Sequence, residues 1–393
     1  MMDLPKVFLT SGGTEPASRR HPWIYSGAVA GVDGEPEDGE LVAVHKAKGD
    51  LLGVGFYNGR SEVRLRMLKF GPPEDLPGLL RGRLRRAISL RSAVVPPETD
   101  MFRLVNSEGD GLPGLVVDRY GPYLVVGMLA KWTEHYQGLL VDLLREELSP
   151  KAIFFRAGGK VAEQEGLSPR AEWIGPGERY VWTKEYGHKF KIDIEKGQKT
   201  GFFLDQRENR KFVEELSGGK VLDIFGYTGA FSVYAASGGA ERVVMVEASS
   251  EAVELARENF RANGVEGVCE VVEGDAFEVL PGGDLGGPYD LVVLDPPALA
   301  KARSAVPKAL KAYRALNRWA MRRVAEGGFL LSCSCSPHLD RRKLHEAIFT
   351  AALEVGRDVQ VLAVRGAGPD HPFHIFHPEG EYLKVFLLAV RRG

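Results

Sequence analysis

The chain has 393 residues, 44% hydrophobic and 26% charged, a balance that excludes wholesale disorder, collagen-like repeats and a disulfide scaffold and predicts several domains. Its 51 Lys+Arg against 53 Asp+Glu leave a formal charge of −2, so a polyanion partner must be met by a local patch. The three cysteines fit a reducing cytoplasm, no apolar run approaches the ~18 residues of a membrane span, and no signal-peptide pattern opens the chain.

Residues 1–70 read as short β-like runs, VFLT, the segment around Trp23, ELVAVHKA, LLGVGFY and EVRLRML, separated by turn chemistry. They predict a small all-β module of barrel type. Residues 71–180 read as a small central α/β domain, with an arginine-rich helix over 77–93 and strands in GLVVDRYGPYLVVGMLA and AIFFRAG. From 181 to 393 the pattern changes. A hairpin, YVWTKEYGHKFKIDI, is followed by strands and helices in alternation: VLDIFGY, RVVMVEAS, VCEVVEGDAF, YDLVVLDPP and FLLSCSCS, each leading into a helical run. The helix before FLLSCSCS is predicted to stop at Gly327-Gly328. Such alternation predicts an α/β, Rossmann-like fold with a doubly wound, mostly parallel sheet. Ligands of such sheets sit outside the carboxyl ends of the strands, and the chemically distinctive residues fall there.

The first of these strands runs into VLDIFGYTGAFSV, where Asp223 precedes a tight turn flanked by Gly226 and Gly229. This is not GxGxxG, so a pyrophosphate loop is disfavoured. Glu247 ends the next strand, at the interval where a carboxylate reaches ribose hydroxyls. Gly274-Asp275 ends the third and suits an adenine amino group. Three carboxylates at successive strand ends favour a positively charged adenosine-type ligand, and S-adenosylmethionine (SAM) fits. The alternative for the turn alone is close helix–strand packing.

Strand four ends in Asp295-Pro296-Pro297, and strand five in Ser334-Cys335-Ser336-Pro337. A thiol beside a positive sulfonium can serve as a nucleophile. The pairing suggests C5 methylation of a pyrimidine: a thiolate adding to C6 makes C5 enamine-like, C5 takes the methyl, a base removes the C5 proton, and the thiol leaves. Asp295 can contact the cytosine N3/N4 edge. Cys335 lies nearest the strand end. Cys333 has the same facing by period-two alternation but sits deeper, and Cys269 reads as a small core residue. A buried, inert thiol is the alternative for Cys335 as well.

The sequence resembles the bacterial 23S rRNA (cytosine-C5) methyltransferase family, large subunit methyltransferase I, over nearly its whole length. The resemblance is carried in order by RRHPWIYSGAV (19–29), SEGDGLPGLVVDRYG (107–121), GQKTGFFLDQRENR (197–210), VLDIFGYTGAFSV, VEAS, GDAF, LDPPALAKAR, SCS (334–336) and the block DHPF…HPEGEYLK (370–384). It implies a PUA domain, a central α/β domain, a SAM-dependent methyltransferase domain, Cys335 as nucleophile and large-subunit rRNA as partner. It also implies that Thr200, Gly201, Phe203, Asp205, Gln206 and Arg207 line the SAM pocket, with Phe225, Tyr227, Thr228 and Asp295 beside the residues named above. Glu379 is a candidate proton-abstracting base, with a structural carboxylate near a turn as the equal alternative. Two departures stand out: the additional Cys333, and the ALAKARS run after DPP.

Basic residues cluster locally. Arg19 and Arg20 lie in the β module, and Arg81, Arg83, Arg85, Arg86 and Arg91 lie on one helix. Lys301, Arg303, Lys308 and Lys311 follow DPP and have the best claim to RNA because of their place; a solvated face is the ordinary alternative. A homodimer is a further expectation. The rival readings are an N-methyltransferase using DPP with an inert Cys335, a uracil-C5 methyltransferase, and a non-catalytic RNA-binding factor that retains a SAM pocket.

Overall fold

A computed structural model describes residues 4–282 and 285–393. The chain divides into two units, one made of residues 1–181, 192–204 and 369–380, the other of 182–191, 205–368 and 381–393.

The first unit holds two sheets. The six-stranded sheet runs Trp23–Ile24, Leu65–Phe70, Leu51–Tyr57, Leu41–His45, Lys6–Leu9, Val29–Asp33. A helix, Ser11–Ser18, interrupts the predicted run of strands. Its Gly-Gly start hides it from propensity, but Thr10 caps it, the hydroxyl accepting from the Gly13 N–H at 3.0 Å. The five-stranded sheet runs Arg170–Ile174, Ala152–Ala157, Tyr123–Met128, Leu115–Tyr120, Met101–Asn106. The two sheets share one core. Leu41, Val54, Phe56 and Leu68 of the first pack with Leu80 and Leu84 of the helix Leu76–Val94 and with Leu115, Val126 and Trp132 of the second layer. Phe56 and Trp132 stack with ring centroids 4.4 Å apart.

The second unit is built on a seven-stranded sheet in the order Cys269–Glu273, Arg242–Glu247, Lys220–Ile224, Tyr289–Leu294, Val324–Ser334, Lys384–Arg392, Arg357–Arg365. The first five strands are parallel; Lys384–Arg392 is antiparallel to both neighbours. The central strands read as unbroken apolar runs because both faces are covered. The helices carry the expected punctuation: Ser249 and Asp340 cap Ser250–Asn263 and Arg341–Val355, and Gly264 and Gly356 end them in the left-handed conformation.

One predicted boundary differs. The helix Val306–Arg323 stops before Val324, and Gly327-Gly328 lie inside the next strand. There the register slips between Tyr289↔Val324 and Leu291↔Phe329, and Gly327, at φ +75°, takes up the excess chain. Among the described residues, no helix is long and apolar enough to cross a membrane.

Candidate functional site

The turn after Lys220–Ile224 is unusual backbone. Phe225 and Tyr227 adopt φ of 66° and 50°, and Gly229 follows at 77°, conformations that cost side-chain-bearing residues energy and concentrate at functional sites. A Cβ on Gly226 would run into the Met245 side chain, and one on Gly229 would lie 2.6 Å from the Phe260 ring. Four of the turn's N–H groups are engaged within the protein. Those of Phe225 and Gly226 both donate to the Val246 carbonyl, at 3.0 and 3.1 Å. That of Tyr227 donates to Glu247 Oε2 at 2.9 Å, and that of Gly229 to the Gly226 carbonyl at 2.8 Å. A loop that binds phosphate aims such groups at its ligand; this one presents carboxylates instead.

Glu247 is held in place by those contacts, its other oxygen accepting from the Ala248 and Ser249 N–H groups at 2.9 Å. Asp223 is buried, and Oδ2 accepts from the Ser232 hydroxyl at 2.7 Å. Oδ1 is buried without a hydrogen-bond partner among the described residues. Burial, with the Glu247 charge adding to it, pushes the Asp223 carboxyl up to about 6. An uncompensated buried carboxylate beside a second one is the setting a cationic ligand relieves, so these residues fit SAM. Asp275 is exposed and accepts from the Phe277 N–H at 2.8 Å. Thr228 is buried, its hydroxyl without a hydrogen-bond partner among the described residues.

Gln206 ties the segment before the sheet to the DPP loop. Its Nε2 donates to Asp295 Oδ2 at 2.9 Å, and its Oε1 accepts from Asn209 at 2.6 Å. Asp205 accepts from the Tyr382 hydroxyl at 2.7 Å. Arg207 is fully buried, with Nε on Glu208 at 3.0 Å. Thr200, Gly201 and Phe203 belong to the first unit. There the Thr200 hydroxyl bonds Asp118 and lies 3.3 Å from the Tyr120 hydroxyl, and Lys199 Nζ lies 4.5 Å from the Phe203 ring centroid.

The two thiols face one hydrophobic cluster but differ in depth. Cys333 is inside the strand and fully buried, and burial raises its thiol well above the ordinary range. Cys335 lies one residue past the strand end and is partly exposed. Its neighbours pin the turn that carries it. Ser334 Oγ donates to the Tyr313 hydroxyl at 2.9 Å, that hydroxyl lies 3.0 Å from Ser336 Oγ, and Ser336 Oγ accepts from the Ala300 N–H at 3.1 Å. Lys384, the antiparallel partner of Ser334, is buried and donates from Nζ to the Ser336 and Tyr382 carbonyls, both at 2.6 Å. Burial brings its ammonium down to about 8, and the Cys335 thiol opposes that fall, so the two groups sense one another. Tyr313 and Lys384 escaped the sequence reading: Tyr313 lies in no motif, and Lys384 is only the last residue of the 370–384 block; they arrive from a helix and an antiparallel strand.

Lys301, Arg303, Lys308 and Lys311 are all exposed. The arginine helix is not a basic face. Arg81 and Arg85 pair with Glu146 and Glu147, Arg83 bonds the Leu68 and Gly111 carbonyls, and Arg91, fully buried, pairs with Asp110 at 2.6 Å. Arg19 pairs with Glu15. Glu379 lies in the first unit, 3.3 Å from His21 Nε2 and 3.8 Å from His377 Nε2.

The sheet and its acidic strand ends define a SAM-dependent methyltransferase, and the protein-family model of S-adenosylmethionine-dependent methyltransferases matches residues 146–356. A PUA-like domain model matches residues 7–70. The chain is 36% identical over 394 residues to ribosomal RNA large subunit methyltransferase I of Aeromonas hydrophila, covering 98% of this chain and 99% of that one. It is 39% identical over 385 residues to a ribosomal RNA large subunit methyltransferase of Deinococcus radiodurans, covering 94% and 93%. The chain therefore belongs to the ribosomal RNA large subunit methyltransferase I family. Among solved structures, a methyltransferase crystallised with SAH superposes with a TM-score of 0.84 at 20% identity, covering 98% of this chain and 99% of that one, which shows the shared fold.

Proposed function

We propose that the chain methylates C5 of a cytosine in large-subunit ribosomal RNA through a transient covalent bond between Cys335 and C6. The observation that carries this reading is the contrast between the two thiols: Cys335 is partly exposed on a turn pinned by Tyr313, Ser336 and Lys384, while Cys333 is fully buried.

When bound, SAM would supply a methyl group on a positively charged sulfur, which would keep the electron pair of the broken S–CH3 bond as a neutral thioether. Asp223 and Glu247 compensate that charge and hold the ligand's polar groups, with Asp275 at the third strand end. The Cys335 thiolate donates its electron pair to C6, and the C5–C6 π electrons move to C5 and the ring carbonyl. Asp295, oriented by Gln206, hydrogen-bonds the N3/N4 edge of the base. Once C5 carries the methyl, a base takes the C5 proton, the C5–C6 double bond re-forms, and the C6–S bond breaks to return the thiolate. Glu379 is the proposed proton acceptor. Lys301, Arg303, Lys308 and Lys311 hold RNA phosphates, with Arg19 and Arg20 as further contacts, and the target base must be unstacked to reach the thiol. The partners in this reading are rRNA and a second copy of the chain, and the compartment is the cytoplasm.

The test is incubation with SAM and rRNA containing 5-fluorocytidine. The fluorine cannot leave as a proton, so an adduct stalls and migrates on a denaturing gel. The adduct is expected to vanish in Cys335→Ala. Methyl transfer that survives Cys335→Ala would overturn the covalent mechanism and favour methylation of a base nitrogen through the DPP loop.

A further inference from the structure

A second concave site lies within the first unit and shares Arg20 and Arg83 with the basic residues named above. It is a cavity of about 280 Å³. Its walls come from the strand Leu65–Phe70, from Arg83, and from the segment that carries His374 and Phe376. The turn His374–His377 is tightly made: the His377 N–H donates to the His374 carbonyl at 2.7 Å, and the Phe376 N–H donates to His374 Nδ1 at 3.2 Å. That geometry stacks the two rings, with centroids 5.2 Å apart and planes 30° from parallel. Phe376 remains 39% exposed, and its neighbours Phe373 and Ile375 are 45% and 80% exposed. A turn that holds three large apolar side chains at the surface is maintaining a contact face.

The charge around this platform is positive. Arg20, held at φ 64°, places its guanidinium 5.9 Å from the Phe376 ring centroid. It makes no ion pair among the described residues. Arg83 is held by two backbone carbonyls and, among the described residues, makes no ion pair. Lys69 pairs with Glu74. The acid in the wall, Glu108, is already answered by Arg66 at 3.1 Å and by the Trp23 indole N–H at 2.6 Å.

We propose that this cavity receives one unpaired nucleotide of the RNA, its base stacked on the His374–Phe376 platform and its phosphates held by Arg20 and Arg83. Aromatic faces ringed by cations are how proteins grip single-stranded nucleic acid without reading sequence, and a duplex offers no free base face to such a platform. Phe373 and Ile375 extend the surface past the cavity, which suits a continuing strand better than a free mononucleotide. The proposal rests on the rRNA reading above and adds to it a docking point outside the methyltransferase sheet.

The test measures binding of the full chain to a short fluorescein-labelled oligouridylate by anisotropy. Phe376→Ala is expected to weaken binding about tenfold and Phe376→Trp to preserve it. Arg20→Ala is expected to weaken binding and flatten its salt dependence. Binding to a blunt duplex RNA of the same length should not change with Phe376→Ala. Unchanged oligouridylate binding by both Phe376→Ala and Arg20→Ala would overturn the proposal, as would uridine monophosphate binding as tightly as the strand. SAM binding by each variant checks that the chain is folded. If wild type methylates rRNA and Phe376→Ala does so with the same KM, the pocket assignment fails and the proposed function stands. If wild type methylates no rRNA yet Phe376→Ala loses the oligonucleotide, the reverse holds.

Discussion

The Lys384 ammonium donates to the Ser336 carbonyl at 2.6 Å, one residue beyond the Cys335 thiol. The contact fixes the turn and sets a positive charge beside the proposed nucleophile. With its proton leaving at about 8 rather than at the ordinary lysine value, the ammonium is present below that pH and is lost as pH rises through it. Methyl transfer should therefore fall above about pH 8. Lys384→Met should slow alkylation of Cys335 by iodoacetamide several-fold near neutral pH. Lys384→Arg, which stays charged, should hold activity to higher pH. A pH–rate profile that is the same in Lys384→Arg and wild type would count against this role.

Asp223 titrates in the opposite sense from a salt-bridged acid. Its carboxyl is raised to about 6 in the fold, so the ligand-free protein gains stability from it as pH falls below that value and loses it as pH rises through 6. The shift of ~2 units corresponds to a penalty of about 3 kcal/mol at neutral pH. Asp223→Asn should raise the thermal midpoint of the ligand-free protein while weakening SAM about tenfold or more. Calorimetry with and without SAM reads both effects. A variant that loses stability and keeps SAM affinity would show that Asp223 serves the fold alone.

The thiols should separate by reagent. Brief treatment of the folded protein with iodoacetamide is expected to label Cys335 and leave Cys333 untouched, because the latter is fully buried and its thiol is held protonated. Peptide mass spectrometry checks this. Cys333→Ala should keep the 5-fluorocytidine adduct; its loss there, with retention in Cys335→Ala, would exchange the two assignments.

The cations after the DPP loop should act through salt. Removing one phosphate-binding cation lowers the salt-dependence slope by about 0.7 to 0.9. Replacing Lys301, Lys308 and Lys311 together by Glu should raise KM for rRNA at least tenfold at low salt while leaving SAM affinity unchanged. Equal KM values in variant and wild type would mark the segment as an ordinary solvated surface.

What could be read directly from the residues was local. The strand–turn–helix at Asp223–Gly229, the carboxylates at strand ends and the DPP and SCS termini are contiguous motifs, and the alternation of strand and helix set the sheet. The reading faltered where a partner came from far away. Arg91 reads as one more exposed arginine, yet it is buried against Asp110 and the Asp370 carbonyl, 279 positions later. Lys384 closes the 370–384 block with nothing there to mark its partner, and its role depends on antiparallel pairing with Ser334. Gly327-Gly328 resemble a helix stop, but the sheet uses them inside a bulge.

The first unit takes residues from nearly both ends of the chain. Arg91 bonds the Asp370 carbonyl, Asn106 Nδ2 bonds the Pro372 carbonyl at 2.9 Å, and the rings of Trp23 and His377 lie 4.5 Å apart. During synthesis, then, Arg91 and Asn106 cannot complete these hydrogen bonds until Asp370 and Pro372 have left the ribosome. A chain cut short before that point carries a buried guanidinium missing one of its acceptors, and truncation of the last few dozen residues should send the N-terminal sheets to proteolysis along with the methyltransferase fold.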